Sequence, residues 1–239
     1  MTVIRARIGY TSVAYVTEIF PKLFYEIVPD GVVLQLLTQQ VTTHAPRNME
    51  RIHEEAREAV ASFARAGADM VILGGAPTNL SKGQDALRKA LEDLSAEYGI
   101  PVSSSAWTQT KALKAVGANK VGIIHPAPDG RDDAQMQKLA EAGFEPIASA
   151  GAGAVFEDYN RIPDTLALRL GREMVEAHPE IDTLLYSCPH WPVAGAIEPL
   201  EQSFDVTVVT SLHAIIREGL RSCGITGPIE GHGRLLREC

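Results

Sequence analysis

Gly67-Ala68-Asp69-Met70-Val71-Ile72-Leu73-Gly74-Gly75 and Ile181-Asp182-Thr183-Leu184-Leu185-Tyr186-Ser187-Cys188 decide the fold of this chain. Both are short, almost uninterrupted apolar runs that stop at a turn of small residues. Such runs suit strands covered on both faces, as in a parallel sheet. Working outward, similar Val- and Ile-rich runs are predicted at Ala6–Thr11, Gly31–Leu37, Val102–Ser105, Lys120–Ile124, Glu145–Ala148 and Val206–Thr210. They alternate with stretches of helical period, the pattern of βα units.

The helices are predicted at Arg47–Ala66, Gln84–Tyr98, Thr108–Ala115, Asp132–Ala142, Thr165–Ala177, Ala194–Phe204 and Leu212–Ser222. In the first, Met49, Ile52, Ala56, Val60 and Phe63 recur at three- and four-residue intervals, as a helix packed on a sheet requires. Gly99, Gly117, Gly143 and Gly224 stand just past periodic stretches, where helices tend to end. The echo between the two quoted runs predicts a duplicated α/β protein of two pseudo-symmetric, doubly wound domains. Each carries a mostly parallel four-stranded sheet, and the active site lies in the cleft between them. The expected division is 1–115 with 211–239 as one lobe and 116–210 as the other. Ligands of open α/β sheets bind beyond the carboxyl ends of the strands, so Gly75 and Cys188, at equivalent strand ends, are expected on facing walls.

Composition narrows the function classes. The 239 residues carry a formal net charge of −8, which gives nucleic acid no large basic surface. No apolar stretch approaches the roughly 20 residues that span a bilayer, and the N-terminus runs directly into a strand pattern, so a cytoplasmic protein without membrane partners is expected. Three cysteines, Cys188, Cys223 and Cys239, with no C-x-x-C spacing, argue against a disulfide framework and a zinc site. Without a G-x-G-x-x-G turn, a P-loop or a histidine–carboxylate ligand cluster, no cofactor and no metal are expected. Asp129, Asp132 and Asp133 read as acidic residues at a helix start.

Cys188, at a strand end and followed by Pro189, is the candidate reactive residue. Cys223 reads as core on the last helix, and Cys239 as exposed and inert. His190 beside the cysteine and His125 at the fifth strand end are candidate acid/base groups or carboxylate donors, and Ser12 at the first strand end faces the expected cleft. Trp107 and Trp191 read as packing residues.

Leu73-Gly74-Gly75-Ala76-Pro77 with Gly83, Tyr186-Ser187-Cys188, and the tail Gly231-His232-Gly233-Arg234-Leu235 together give the chain, over nearly its whole length, a resemblance to the aspartate/glutamate racemase superfamily. Within it the chain is similar to the branch of arylmalonate decarboxylase and maleate isomerase. The resemblance implies one cysteine on each wall in racemases and isomerases, and glycine at the first position in the decarboxylase. Gly75 and Cys188 follow the decarboxylase arrangement. It also implies hydroxyl residues after that glycine, a glycine after the cysteine and a tyrosine after the fifth strand. This chain has Ala76 and Pro77, Pro189 and Ala127 there, so other donors are needed. Thr78 and Asn79 are the expected replacements, with Gly75 and Ala76 lining the substrate.

The implied chemistry passes through an enediolate held by preorganised donors and protonated by Cys188. The leading expectation is a cofactor-independent, cysteine-dependent carbon–carbon lyase acting on a malonate-type diacid. The alternatives are an isomerase or racemase of a small carboxylic acid and a non-catalytic protein that binds one. In each the partner is a small carboxylic acid; the sequence leaves the oligomeric state open.

Overall fold

The computed structural model describes residues 3–14, 16–39, 46–75, 83–128, 130 and 132–238. These divide into two compact units, 1–108 with 218–226 and 109–217 with 227–239.

In the first unit, β1 (Ala6–Ser12), β2 (Val32–Thr38), β3 (Met70–Leu73) and β4 (Val102–Ser104) form a parallel sheet in the order β2-β1-β3-β4. In the second, β5 (Lys120–His125), β6 (Glu145–Gly151), β7 (Thr183–Tyr186) and β8 (Thr207–Thr210) repeat it as β6-β5-β7-β8. All eight strands fall where the apolar runs predict them. β3 and β7 are buried along their whole length, because helices cover both faces of each sheet.

Among the described residues the helices are α1 (Ile19–Ile27), α2 (Pro46–Arg65), α3 (Gln84–Tyr98), α4 (Ser105–Ala115), α5 (Asp132–Glu141), α6 (Asp164–Ala177), α7 (Ala194–Ser203), α8 (Ser211–Ser222) and the short α9 (Arg234–Glu238), with a 3-10 turn at Phe156–Arg161. Val60 and Phe63 of α2 pack with Val71, Leu73, Leu87 and Leu91 in the first core. Tyr10 stacks on Phe20 of α1 at 4.1 Å. In the second unit Ile124, Leu184, Tyr186, Trp191, Ile197 and Leu200 share one cluster, and Val121, Leu185, Val209 and Leu235 another. Truncating a side chain as buried as Leu184 to alanine costs about 2–5 kcal/mol.

Two glycines expose the duplication. A Cβ on Gly9 of β1 would press on Phe63 at 2.9 Å, and one on Gly122 of β5 would press on Ile181 at 2.9 Å and overlap Met174. Both stand two residues before the strand residue paired with the end of the next inner strand, Thr11 with Leu73 and Ile124 with Tyr186.

The structure corrects the expected lobe boundaries. The crossings fall at 108/109 and 217/218, inside α4 and α8, and the tail 227–239 packs on the second unit instead of the first. Leu235 and Leu236 are buried. Glu201 of α7 accepts the Val208 N–H with one oxygen and the Arg234 N–H with the other, both at 2.9 Å, tying the tail to β8.

Candidate active site

Each sheet presents a row of residues one step beyond its central pairing. In the second unit Ile124 pairs with Tyr186 and Tyr186 with Thr210. His125, Ser187 and Ser211 are therefore level on three neighbouring strand ends, with Cys188 one residue further along. In the first unit the corresponding row is Ser12, Gly74 and Ser105, with Gly75 in the place of Cys188. The topology makes Gly75 and Cys188 equivalent in their own units, each two residues past the end of the third strand of its sheet.

Cys188 is buried at the edge of the second core beside Tyr186 and Trp191. Burial pushes its thiol up to about 12, although the backbone N–H groups of His190 and Trp191 donate toward the sulfur and favour the thiolate. Pro189 has no N–H, so these two donors follow it. The group is a protonated thiol across the physiological range.

His190 is also buried, and burial holds its imidazole down at about 4, neutral near pH 7. Trp191 sits edge-on to Tyr186 at 5.8 Å, and the Tyr186 hydroxyl donates to the Ala167 carbonyl at 2.7 Å. Trp107 packs against the first core. Both tryptophans thus pack, as expected.

His125 is 1% exposed, and its Nε2 lies 3.1 Å from an Asp132 oxygen. Partial burial pushes the Asp132 carboxyl up. The neighbouring Ser149 hydroxyl, the His125 ring and the Gly130 N–H, which donates at 3.1 Å, outweigh it and hold the group at about 2. An ionised Asp132 accepts a hydrogen bond from Nε2–H and so orients the ring, while Nδ1 has no hydrogen-bond partner among the described residues. Reading Asp132 only as a helix-start acid misses this pairing.

Ser12 is fully buried at the end of β1, where its hydroxyl accepts the Ala14 N–H at 3.2 Å and lies 3.1 Å from the Ala14 carbonyl. Gly74 donates its N–H to Thr11 Oγ1 at 2.8 Å, and a Cβ there would overlap the Thr11 carbonyl. Gly75 is half-buried with φ +83°, a conformation that L side chains avoid. Ala76, Thr78 and Asn79 lie outside the described residues, as do Asp129 and Cys239. Cys223 stands just past α8 and is half-buried, not the core residue expected; its thiol is raised by burial and by Asp69.

The structure brings together, on the second sheet's carboxyl edge, His125 and Cys188 with His190 two residues on. Gly75 and Ser12 share the corresponding edge of the first sheet. Two residues that the sequence reading missed join the second edge. Ser211 opens α8 and is fully buried, and His213 follows in the same turn, 2% exposed. The signal was present as a repeat: Ser104-Ser105-Ala106-Trp107 and Thr210-Ser211-Leu212-His213 occupy matching places. No group of three or more His, Cys, Asp or Glu able to hold a metal occurs among the described residues, and no helix among them is long and apolar enough to cross a membrane.

A model of the arylmalonate decarboxylase family matches residues 24–236. The chain is 24% identical over 198 residues to arylmalonate decarboxylase from Bordetella bronchiseptica, covering 81% of each. Among solved structures it is similar to a liganded double mutant of arylmalonate decarboxylase, in which a glycine is changed to cysteine and a cysteine to serine. That likeness has TM-score 0.89 and 20% identity, over 98% of this chain and 100% of that one. It is also similar to a maleate isomerase from Pseudomonas putida S16 with one cysteine changed to alanine and maleate bound, with TM-score 0.85 and 14% identity over 97% of each chain. At these identities the structural likenesses carry the fold.

Proposed function

The chain belongs to the arylmalonate decarboxylase family, and from that membership we propose that it is a cofactor-independent decarboxylase of a malonate-type diacid in which Cys188 protonates the enediolate. The observation that carries the reading is the buried Cys188, whose thiol stays protonated to about pH 12 at a strand end. In this reaction the bond between the α-carbon and one carboxylate breaks, CO2 leaves, and the electron pair passes into the remaining carboxylate as an enediolate. The thiol gives its proton to the α-carbon, and the thiolate takes one back from water. A weakly acidic thiol suits the strongly basic enediolate, and the N–H groups of His190 and Trp191 steady the transient thiolate. A free thiol in this role suits the reducing cytoplasm.

A second reading is favoured by the His125–Asp132 pair, whose oriented imidazole supplies the extra acid/base group that an isomerase or racemase of a small carboxylic acid needs. Turnover in deuterated water separates the two. With 2-methyl-2-phenylmalonate, which has no α-proton, the decarboxylase yields 2-phenylpropionate with one deuteron at the α-carbon, and Cys188→Ala lowers kcat at least 1000-fold in a folded protein. Deuterium entering unreacted 2-phenylpropionate, with no CO2 released from the malonate, would replace the first reading by the second.

A further inference from the structure

β8 ends at Thr210, the register partner of Tyr186, and α8 begins at the next residue. Thr210 Oγ1 accepts the His213 backbone N–H at 3.1 Å and lies 2.6 Å from His213 Nδ1. Because Thr210 is fully buried, its hydroxyl proton needs an acceptor. The arrangement that satisfies every group donates that proton to Nδ1 and leaves the imidazole proton on Nε2. His213 Nε2 then presents an N–H, and this atom and the Ser211 hydroxyl have no hydrogen-bond partner among the described residues. A buried donor left unpaired costs about 1–3 kcal/mol, so two in one helical turn, beside the strand end that leads to Cys188, mark a place built for an acceptor. The start of a twelve-residue helix adds a field that favours negative charge.

The corresponding turn of the first unit shows what the second has gained. Ser104 Oγ accepts the Trp107 N–H at 3.2 Å, the same cap with the same spacing, but Trp107 packs against the apolar core. The scaffold of the turn needs no histidine; the histidine is an addition to it.

We infer that the Ser211 hydroxyl and the His213 Nε2–H hold the substrate carboxylate that survives the reaction, and so stand in for the hydroxyl and tyrosine donors that this sequence lacks. The inference rests on the decarboxylase reading and adds the donor pair to it. Thr210 is a positioning residue that fixes the tautomer. Burial, with His232 at 5.8 Å between ring centroids, holds His213 down at about 3. The donor is therefore a neutral imidazole, able to strengthen its hydrogen bond as charge gathers on the enediolate oxygens.

The test uses the full chain with 2-methyl-2-phenylmalonate as substrate and 2-phenylpropionate, the product, as binding probe. Nitrogen-15 spectra of the free protein should show His213 protonated on Nε2 only, and the Nε2 proton should move downfield on adding 2-phenylpropionate. His213→Phe should lower kcat about 100-fold, the loss typical of a removed oxyanion donor, with a smaller change in KM. His213→Gln, which keeps an N–H, should recover at least 10-fold of that loss, and Ser211→Ala should lose about 10-fold. Thr210→Val should put a share of His213 into the other tautomer. A folded His213→Phe or Ser211→Ala with wild-type kcat overturns the inference, and so does a His213 spectrum unmoved by the probe, since the pair then holds water only. Should His213→Phe fail to fold, Ser211→Ala and the wild-type spectrum still decide. Failure of the decarboxylase reading looks different: no CO2 from the malonate, with the His213 signal still moved by the probe.

Discussion

The protonation state of Cys188 separates an acid that quenches a carbanion from a base that creates one. An ordinary thiol near 9 is pushed up to about 12 here, three powers of ten, equivalent to about 4 kcal/mol against the thiolate. In a Cys223→Ala, Cys239→Ser background Cys188 is the only thiol, and its ionisation can be followed by thiolate absorbance and by alkylation with iodoacetamide. At pH 8 the thiolate fraction should be about 10⁻⁴, against about 10⁻¹ for an ordinary thiol, so alkylation should be about 1000-fold slower. Linkage gives the sign for stability. The folded pKa lies above the unfolded one, so the contribution of the neutral thiol is fully present below about pH 9 and lost as pH rises through about 12. The stability advantage of the parent over Cys188→Ser in that background should thus be flat to pH 9 and shrink above it. A thiolate midpoint at or below 9, or alkylation at pH 7 as fast as a free thiol, would refute the reasoning and turn Cys188 into a base of the racemase kind.

Gly75→Ala should cost about 1–2 kcal/mol, because φ +83° is a left-handed conformation; Gly75→Cys, which adds a second thiol, meets the same strain. Urea unfolding measures it, and an unchanged midpoint would mean that the turn does not need glycine. Glu201→Gln should cost about 2–3 kcal/mol, since one of the two N–H groups it now accepts would face an amide NH2. A loss below about 0.5 kcal/mol would show that the tail is held by Leu235 and Leu236 alone. Asp132, held low at about 2, contributes stability above about pH 4 that disappears as pH falls through 2. Asp132→Asn should remove that part of the acid transition, and identical acid unfolding of the two proteins would discard the His125 pairing as its cause.

The strands were legible because burial on both faces writes itself as apolar runs, and the larger helices because one buried face repeats every three to four residues. α1 was not legible: Ile19-Phe20-Pro21 looks like a break, yet a proline in the first helical turn displaces no intrahelical bond. The tail was misplaced because five residues, Arg234–Glu238, show no period, and the side chain that recruits them, Glu201, is 33 residues away. The place of Cys188, two residues past the end of β7, was legible from the apolar run that precedes it. Asp132 was not, because its partner His125 lies across a loop whose path the sequence does not reveal. His213 was not, because one histidine in the first turn of an amphipathic helix reads as any interior position until its second nitrogen is seen without an acceptor.

The two units start from one plan and have been filled differently. The capped turn after the fourth strand is the same in each, Ser104 with Trp107 and Thr210 with His213. The row before it is Ser12, Gly74 and Ser105 in one unit and His125, Ser187 and Ser211 in the other, with Gly75 answering to Cys188. In the first unit Gly74 is compelled by the Thr11 carbonyl and Gly75 by its backbone angle, so a side chain at either of these two positions meets strain. In the second unit these two places carry the Ser187 hydroxyl and the Cys188 thiol, with the His125 imidazole and the Ser211 hydroxyl beside them in the row and the His213 imidazole in the capped turn; the Ser187 and Ser211 hydroxyls are buried without a hydrogen-bond partner among the described residues. Unpaired polar groups inside a fold cost stability and persist only where something compensates them. Among the described residues of the two rows and their capped turns, the side chains with an unpaired buried atom, His125, Ser187, Ser211 and His213, all belong to the second unit, and this supports the proposal that proton donation and carboxylate binding belong to that unit.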